Sequence, residues 1–109
     1  MSFNDRLGLT TGADGRSIEL EAGYEHLVAP DTVHFAVLAT LGEVSAAQAV
    51  GRPVVPVHVS LQLMSRARTG SLTARGTVLK SGRTLVFADG VVSQGDKTVA
   101  KVSVTFAVV

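Results

Sequence analysis

The chain has 109 residues, with 10 Lys+Arg against 9 Asp+Glu, and it is 46% hydrophobic but only 5% aromatic. A net charge of +1 without a basic stripe sets nucleic acid aside as a partner, and the absence of Cys excludes a disulfide framework or a thiolate metal site. This length builds one domain, residues 1–109, with a core thin enough that a partner subunit would help, so a homo-oligomer is expected.

Gly12-Ala13-Asp14-Gly15 reads as a turn. From Arg16 to Ala22 the residues alternate, with Ile18, Leu20 and Ala22 on one side and Ser17, Glu19 and Glu21 on the other, the period of a half-buried strand. Tyr24, Glu25 and His26 follow in a connection that either covers a pocket or simply faces solvent. From Thr32 to Gly51 the only charged residue is Glu43. That long, Ala-rich stretch predicts a helix buried on several faces, N-capped by Asp31 or Thr32 after Pro30 and ended by Arg52-Pro53.

Beyond Pro53 the chain reads as sheet. Val55, Val57, Val59, Leu61 and Leu63 alternate with Pro56, His58, Ser60, Gln62 and Met64, which predicts a strand with one uniformly aliphatic face. Three more strands, about 71–80, 84–93 and 98–108, are separated by Ser81-Gly82 and Gln94-Gly95-Asp96. Short turns favour antiparallel neighbours, so the expected architecture is α+β in the order β-α-β-β-β-β, an antiparallel sheet curved around one long central helix. No apolar run approaches the roughly 20 residues of a membrane helix, and Met1-Ser2-Phe3-Asn4-Asp5 lacks the layout of a signal peptide. No membrane partner and a cytoplasmic location are the expectations.

A carboxylate inside an uncharged helix needs an explanation, because burying it ionised and unpaired costs several kcal/mol. On a helical wheel the neighbours of Glu43 are Ala36, Ala39, Thr40, Ala46 and Ala47, all small, while Val37, Leu38 and Leu41 face elsewhere and fill the core. Glu43 either points to solvent or pairs with an Arg such as Arg52, or it is a general base or nucleophile in a partly dry pocket. His34 is about 13 Å away along the axis and half a turn out of phase, so the two cannot serve one atom from one chain. The backbone N–H groups around His34, Phe35 and Ala36 are free donors of a helix start, suited to a carbonyl oxygen that becomes negative. A base and an oxyanion site on one helix would cooperate only if two subunits each lent one half. His26, His34 and His58 have no ligand-like spacing with Asp or Glu, so neither a metal nor a cofactor is expected.

These residues resemble the hotdog-fold acyl-CoA thioesterases, in particular the branch of the phenylacetate-pathway and Arthrobacter-type 4-hydroxybenzoyl-CoA enzymes. The family's helix motif is His-Gly-Gly, four variable residues, Leu, one residue, then Asp or Glu. His34, Leu41 and Glu43 stand in that register. Val59 to Gly70, Val78 to Phe87 and Val99 to Phe106 are similar to the family's second strand and its exit, its hairpin and its last strand. Departures accompany the match: Phe35 and Ala36 replace both glycines, Val28 stands where Asn or Gln is usual, Asp31 replaces a Gly, and Pro56 replaces a polar residue.

The resemblance implies a hotdog fold and hydrolysis of an acyl-CoA in a dimer or dimer of dimers. Glu43 of one subunit would be base or nucleophile, the Phe35 N–H of the other the oxyanion donor, and His34 would hold that helix start. Arg66, Arg68, Lys80 and Arg83 are the candidates for CoA phosphates, set against ordinary surface charge. The alternative is a hotdog protein that binds an acyl-CoA or another apolar ligand without cleaving it, or a structural subunit whose chemistry is done by a partner.

Overall fold

The computed structural model describes residues 1–109. It begins with a one-turn helix that the hydrophobic pattern did not suggest, α1 (Phe3–Leu7). The Ser2 hydroxyl accepts from the Asp5 N–H while the Asp5 carboxylate accepts from the Ser2 N–H, and Gly8 ends the turn in the left-handed region at φ 98°. A two-residue strand, β1 (Thr10–Thr11), then pairs with β2 (Ser17–Ala22), the first strand expected from the alternation.

The segment after β2 is more structured than its composition suggests. A turn at Tyr24–His26 leads into β3 (Leu27–Ala29), and Pro30-Asp31 turns the chain into β4 (Thr32–Val33). Asp31 sits in the left-handed region at φ 46°. Its carboxylate accepts from the Thr69 N–H and from Arg68, and these two bonds hold its pKa below the ordinary carboxylate value. Asp31 and Thr32 are therefore committed to a hairpin and to the loop across from it, and neither caps the long helix.

The long helix is α2 (Phe35–Val50), and its N-cap is His34, whose Nδ1 accepts from the Ala36 N–H at 2.9 Å. Gly51 closes it at φ 70°. After it run β5 (Val54–Leu63), β6 (Gly70–Ser81), β7 (Leu85–Gln94) and β8 (Lys97–Val108). All strand pairs are antiparallel, and the six-stranded sheet has the order β1-β2-β6-β7-β8-β5. The expected α+β architecture and its element order are present, with α2 lying across β6, β7 and β8.

Close approach of helix and sheet depends on three glycines, one of them Gly76 of β6, where a Cβ would collide with the Ser45 carbonyl of α2. A Cβ on Gly90 of β7 would collide with the Gly42 carbonyl of α2, and one on Gly42 would collide with the Val102 side chain of β8. The contact sits between the two apolar clusters, one around Leu41 and Leu72 and the other around Ala46 and Phe106. Gly90→Ala is expected to destabilise the fold by about 1–3 kcal/mol, since a packed backbone must be pushed apart. Chemical denaturation checks this; an unchanged midpoint would contradict the contact.

Besides the N-cap, two further features differ from what the sequence suggests. The helix is buried on one face rather than several: Val37, Leu38, Leu41, Gly42, Ser45 and Ala46 are covered, whereas Phe35, Ala36 and Ala49 are exposed. A sheet from one chain covers one side of a helix only. The aliphatic row of β5 is also interrupted, because a bulge between Pro56 and His58 sets Val57 out of register. Val59, Leu61 and Leu63 lie opposite the buried Val104, Val102 and Ala100, while Val55 falls on the other face. As the last strand of the sheet, β5 leaves Val55, Val57, Val59 and Leu63 45–59% exposed.

Candidate active site

Glu43 lies midway along α2, on the side turned away from the sheet, beside Ala36, Ala39, Thr40 and Ala47. Its carboxylate takes part in no side-chain hydrogen bond or ion pair, and burial raises its pKa above the ordinary value of 4.5. Arg52 does not neutralise it: that guanidinium donates to Ser81 Oγ at 3.1 Å and to the Gly82 carbonyl. The carboxylate is half-buried, unpaired and surrounded by small side chains.

The raised pKa has a consequence for stability. Between the ordinary value and the raised one, the folded chain binds more protons than the unfolded chain, so Glu43 lowers stability as pH rises through that window. Glu43→Gln is expected to raise the melting temperature at neutral pH, with the advantage gone below about pH 4. A pH series of thermal melts decides it, and a variant less stable at neutral pH would contradict the unpaired state.

Two turns N-terminal to Glu43, the helix start presents its donors. His34 accepts from the Ala36 N–H through Nδ1 and from the Val37 N–H through its carbonyl, at 2.9 and 3.0 Å. The Phe35 N–H is the donor of this first turn that neither bond uses. A cleft of about 370 Å³ opens beside it, lined by Val33, Phe35, Leu38, Leu63, Met64 and Arg66 among others. The Phe35 ring is part of the lining of this cleft. Its centroid lies 4.6 Å from that of His34.

The expected cations divide between the two ends of the helix. Arg66 lines the cleft, and Arg68 sits beside it but donates to Asp31 Oδ2 at 3.0 Å. Lys80 and Arg83 flank the Ser81-Gly82 turn that Arg52 holds at the C-terminal end of α2, about 24 Å from Phe35. One chain therefore brings together Phe35, His34 and Arg66, and leaves Glu43, Lys80 and Arg83 away from them. No three His, Asp or Glu side chains converge as metal ligands would.

The other singled-out residues fall elsewhere. Tyr24, Glu25 and Val28 line a wider cleft of about 630 Å³ with Leu27, Ala29 and Pro30. That cleft is larger but contains no group suited to polarise a carbonyl, so the smaller one at the helix start is the candidate site. His58 points away from α2, into an outer-face hollow with Ser60, Asp89 and Lys101, and Pro56 lies opposite Phe106. Leu63 and Met64, which wall the candidate cleft, read in the sequence only as two positions of a strand. Their role depends on the end of β5 crossing the start of α2.

The same path through space is found in solved structures. A zebra fish thioesterase superfamily member 2 is 27% identical, covering 85% of this chain and 73% of its own, with a TM-score of 0.78. The chain has the hotdog fold of the thioesterase superfamily. A phenylacetic acid degradation-related protein of Ralstonia eutropha superposes on this hotdog domain with a TM-score of 0.84 at 23% identity, covering 96% of this chain and 88% of its own. A Bacillus halodurans protein solved with CoA gives 0.85 at 20% identity, covering 95% and 73%. The sequence matches no protein-family model and no curated protein. No helix of the hotdog domain is long and apolar enough to cross a membrane.

Proposed function

We propose that the chain is an acyl-CoA thioesterase whose site is completed by a second copy of itself. The observation that carries this reading is the unpaired, half-buried Glu43 on a helix face that one chain leaves open. The open edge and apolar exposure of β5 support it, as does the likeness to a CoA-bound structure.

Pairing of β5 with its own copy is antiparallel, because a two-fold axis makes the contact self-complementary. It covers Val59 and Leu63 and sets the Leu63 end of one strand opposite the Val54 end of the other. The cleft beside Phe35 in one subunit then meets the Glu43 half of the partner's helix. The acyl group lies along the apolar wall of Val33, Phe35, Leu38, Leu63 and Met64. Its carbonyl oxygen receives the Phe35 N–H, while Glu43 of the other subunit takes a proton from the attacking water or attacks directly. Lys80 and Arg83 of that same subunit join Arg66 at the mouth, where CoA phosphates would sit, with Arg68 and Asp31 bracing the loop.

Thiol release from short, medium-chain and aromatic acyl-CoAs tests this. Turnover on at least one class is expected. Acyl-CoA binding without turnover on any of them would replace the proposal with the binding-protein reading, which the Phe35 ring in place of a glycine favours.

A further inference from the structure

The inference rests on the hydrolase reading and adds to it a residue that the sequence left without a role. His26, only 5% exposed, occupies the turn before β3. Its Nδ1 accepts from the Gly23 N–H at 3.0 Å, so the ring proton belongs on Nε2, which donates to the Leu7 carbonyl at 2.7 Å. Its backbone carbonyl accepts from the His34 N–H at 2.9 Å. One residue thus ties the end of α1, the covering segment and the N-cap of α2. The exposed Glu25 carboxylate lies 3.5 Å from the same Nδ1.

The three bonds matter because of where the last one ends. The His26 carbonyl holds the N–H of the peptide before His34, the His34 ring accepts from the Ala36 N–H, and the carbonyl of the peptide joining His34 to Phe35 accepts from the Val37 N–H. The Phe35 N–H is what remains, and its direction is set by that peptide. We propose that His26 is the positioning residue for this N–H: its imidazole, held between Gly23 and Leu7, fixes the covering segment and aims the oxyanion donor before substrate arrives.

The experiment compares three variants in the full chain. His26→Phe keeps a ring and loses both polar bonds; His26→Asn keeps an acceptor for Gly23; His26→Gln keeps a donor for Leu7. His26→Phe is expected to lower kcat about 10- to 100-fold with KM changed by less than about twofold, because misaim acts on the reacting centre. Amide exchange at His34, Ala36 and Val37 should accelerate about tenfold or more while Leu41 and Val104 keep their protection. The Asn and Gln variants should each recover part of both effects.

An unchanged kcat in an active protein, unchanged exchange at the helix start, or equal acceleration at Leu41 would overturn the proposal. Absence of thioester turnover in the unmodified protein overturns the hydrolase reading instead. The exchange comparison then decides His26 alone, with acceleration confined to the helix start supporting it and none overturning it.

Discussion

Glu43→Gln is expected to lower kcat for thioester hydrolysis by about 1,000-fold while leaving acyl-CoA affinity nearly unchanged. The substitution keeps the volume and polarity of the side chain and removes only its capacity to take a proton or attack a carbonyl. Burial already holds this carboxyl above its ordinary pKa, so the same desolvation that costs stability makes it a better base near neutral pH. Activity lost together with a gain in melting temperature would identify a group retained for chemistry. Full turnover in the variant would remove Glu43 from the mechanism.

Phe35→Pro is the second large effect. Proline is tolerated at the first helical position, and His34 already has an extended backbone at φ −62° and ψ 139°, which suits a residue before proline. The change therefore deletes one N–H and leaves the helix standing. Loss of a single oxyanion donor is expected to reduce kcat about 100- to 1,000-fold. Phe35→Ala, which keeps the N–H and loses the ring, separates the two roles: it should retain kcat within about tenfold and shift acyl preference. Equal losses in both variants would assign the effect to the ring.

Much of the fold was legible because its long elements obey simple periods. The run from Thr32 to Gly51 with Glu43 as its only charge announced α2, the alternations around Ile18 and Val59 announced β2 and β5, and the glycine turns at Gly82 and Gly95 marked off the last strands. The short elements were not legible. α1 has the Ser2–Asp5 capping pattern but only five residues, and the two- and three-residue strands β3 and β4 exist because Asp31 is held by Arg68 and Thr69 from far along the chain. The bulge at Val57 broke an alternation that composition alone continues.

The site was half legible for a related reason. Register within one helix spaced Glu43, Phe35 and His34, but the cap was expected at Asp31 or Thr32 and falls instead to His34, whose Nδ1 accepts from the Ala36 N–H. The role of His26 required Leu7 and His34 to meet it in space, nineteen residues away on one side and eight on the other. The division of cations, Arg66 at one end of α2 and Lys80 with Arg83 at the other, likewise became visible only with the sheet order.

If each site draws Glu43 from one subunit and the Phe35 N–H from another, two differently disabled subunits complement each other. Equal amounts of the Glu43→Gln and Phe35→Pro proteins, each nearly inactive alone, are unfolded together, refolded as a mixture and assayed for thiol release. Half of the dimers should be mixed, and each of these carries one intact site, so about 25% of the unmodified activity should return. Activity no greater than that of the separate variants would contradict the shared site.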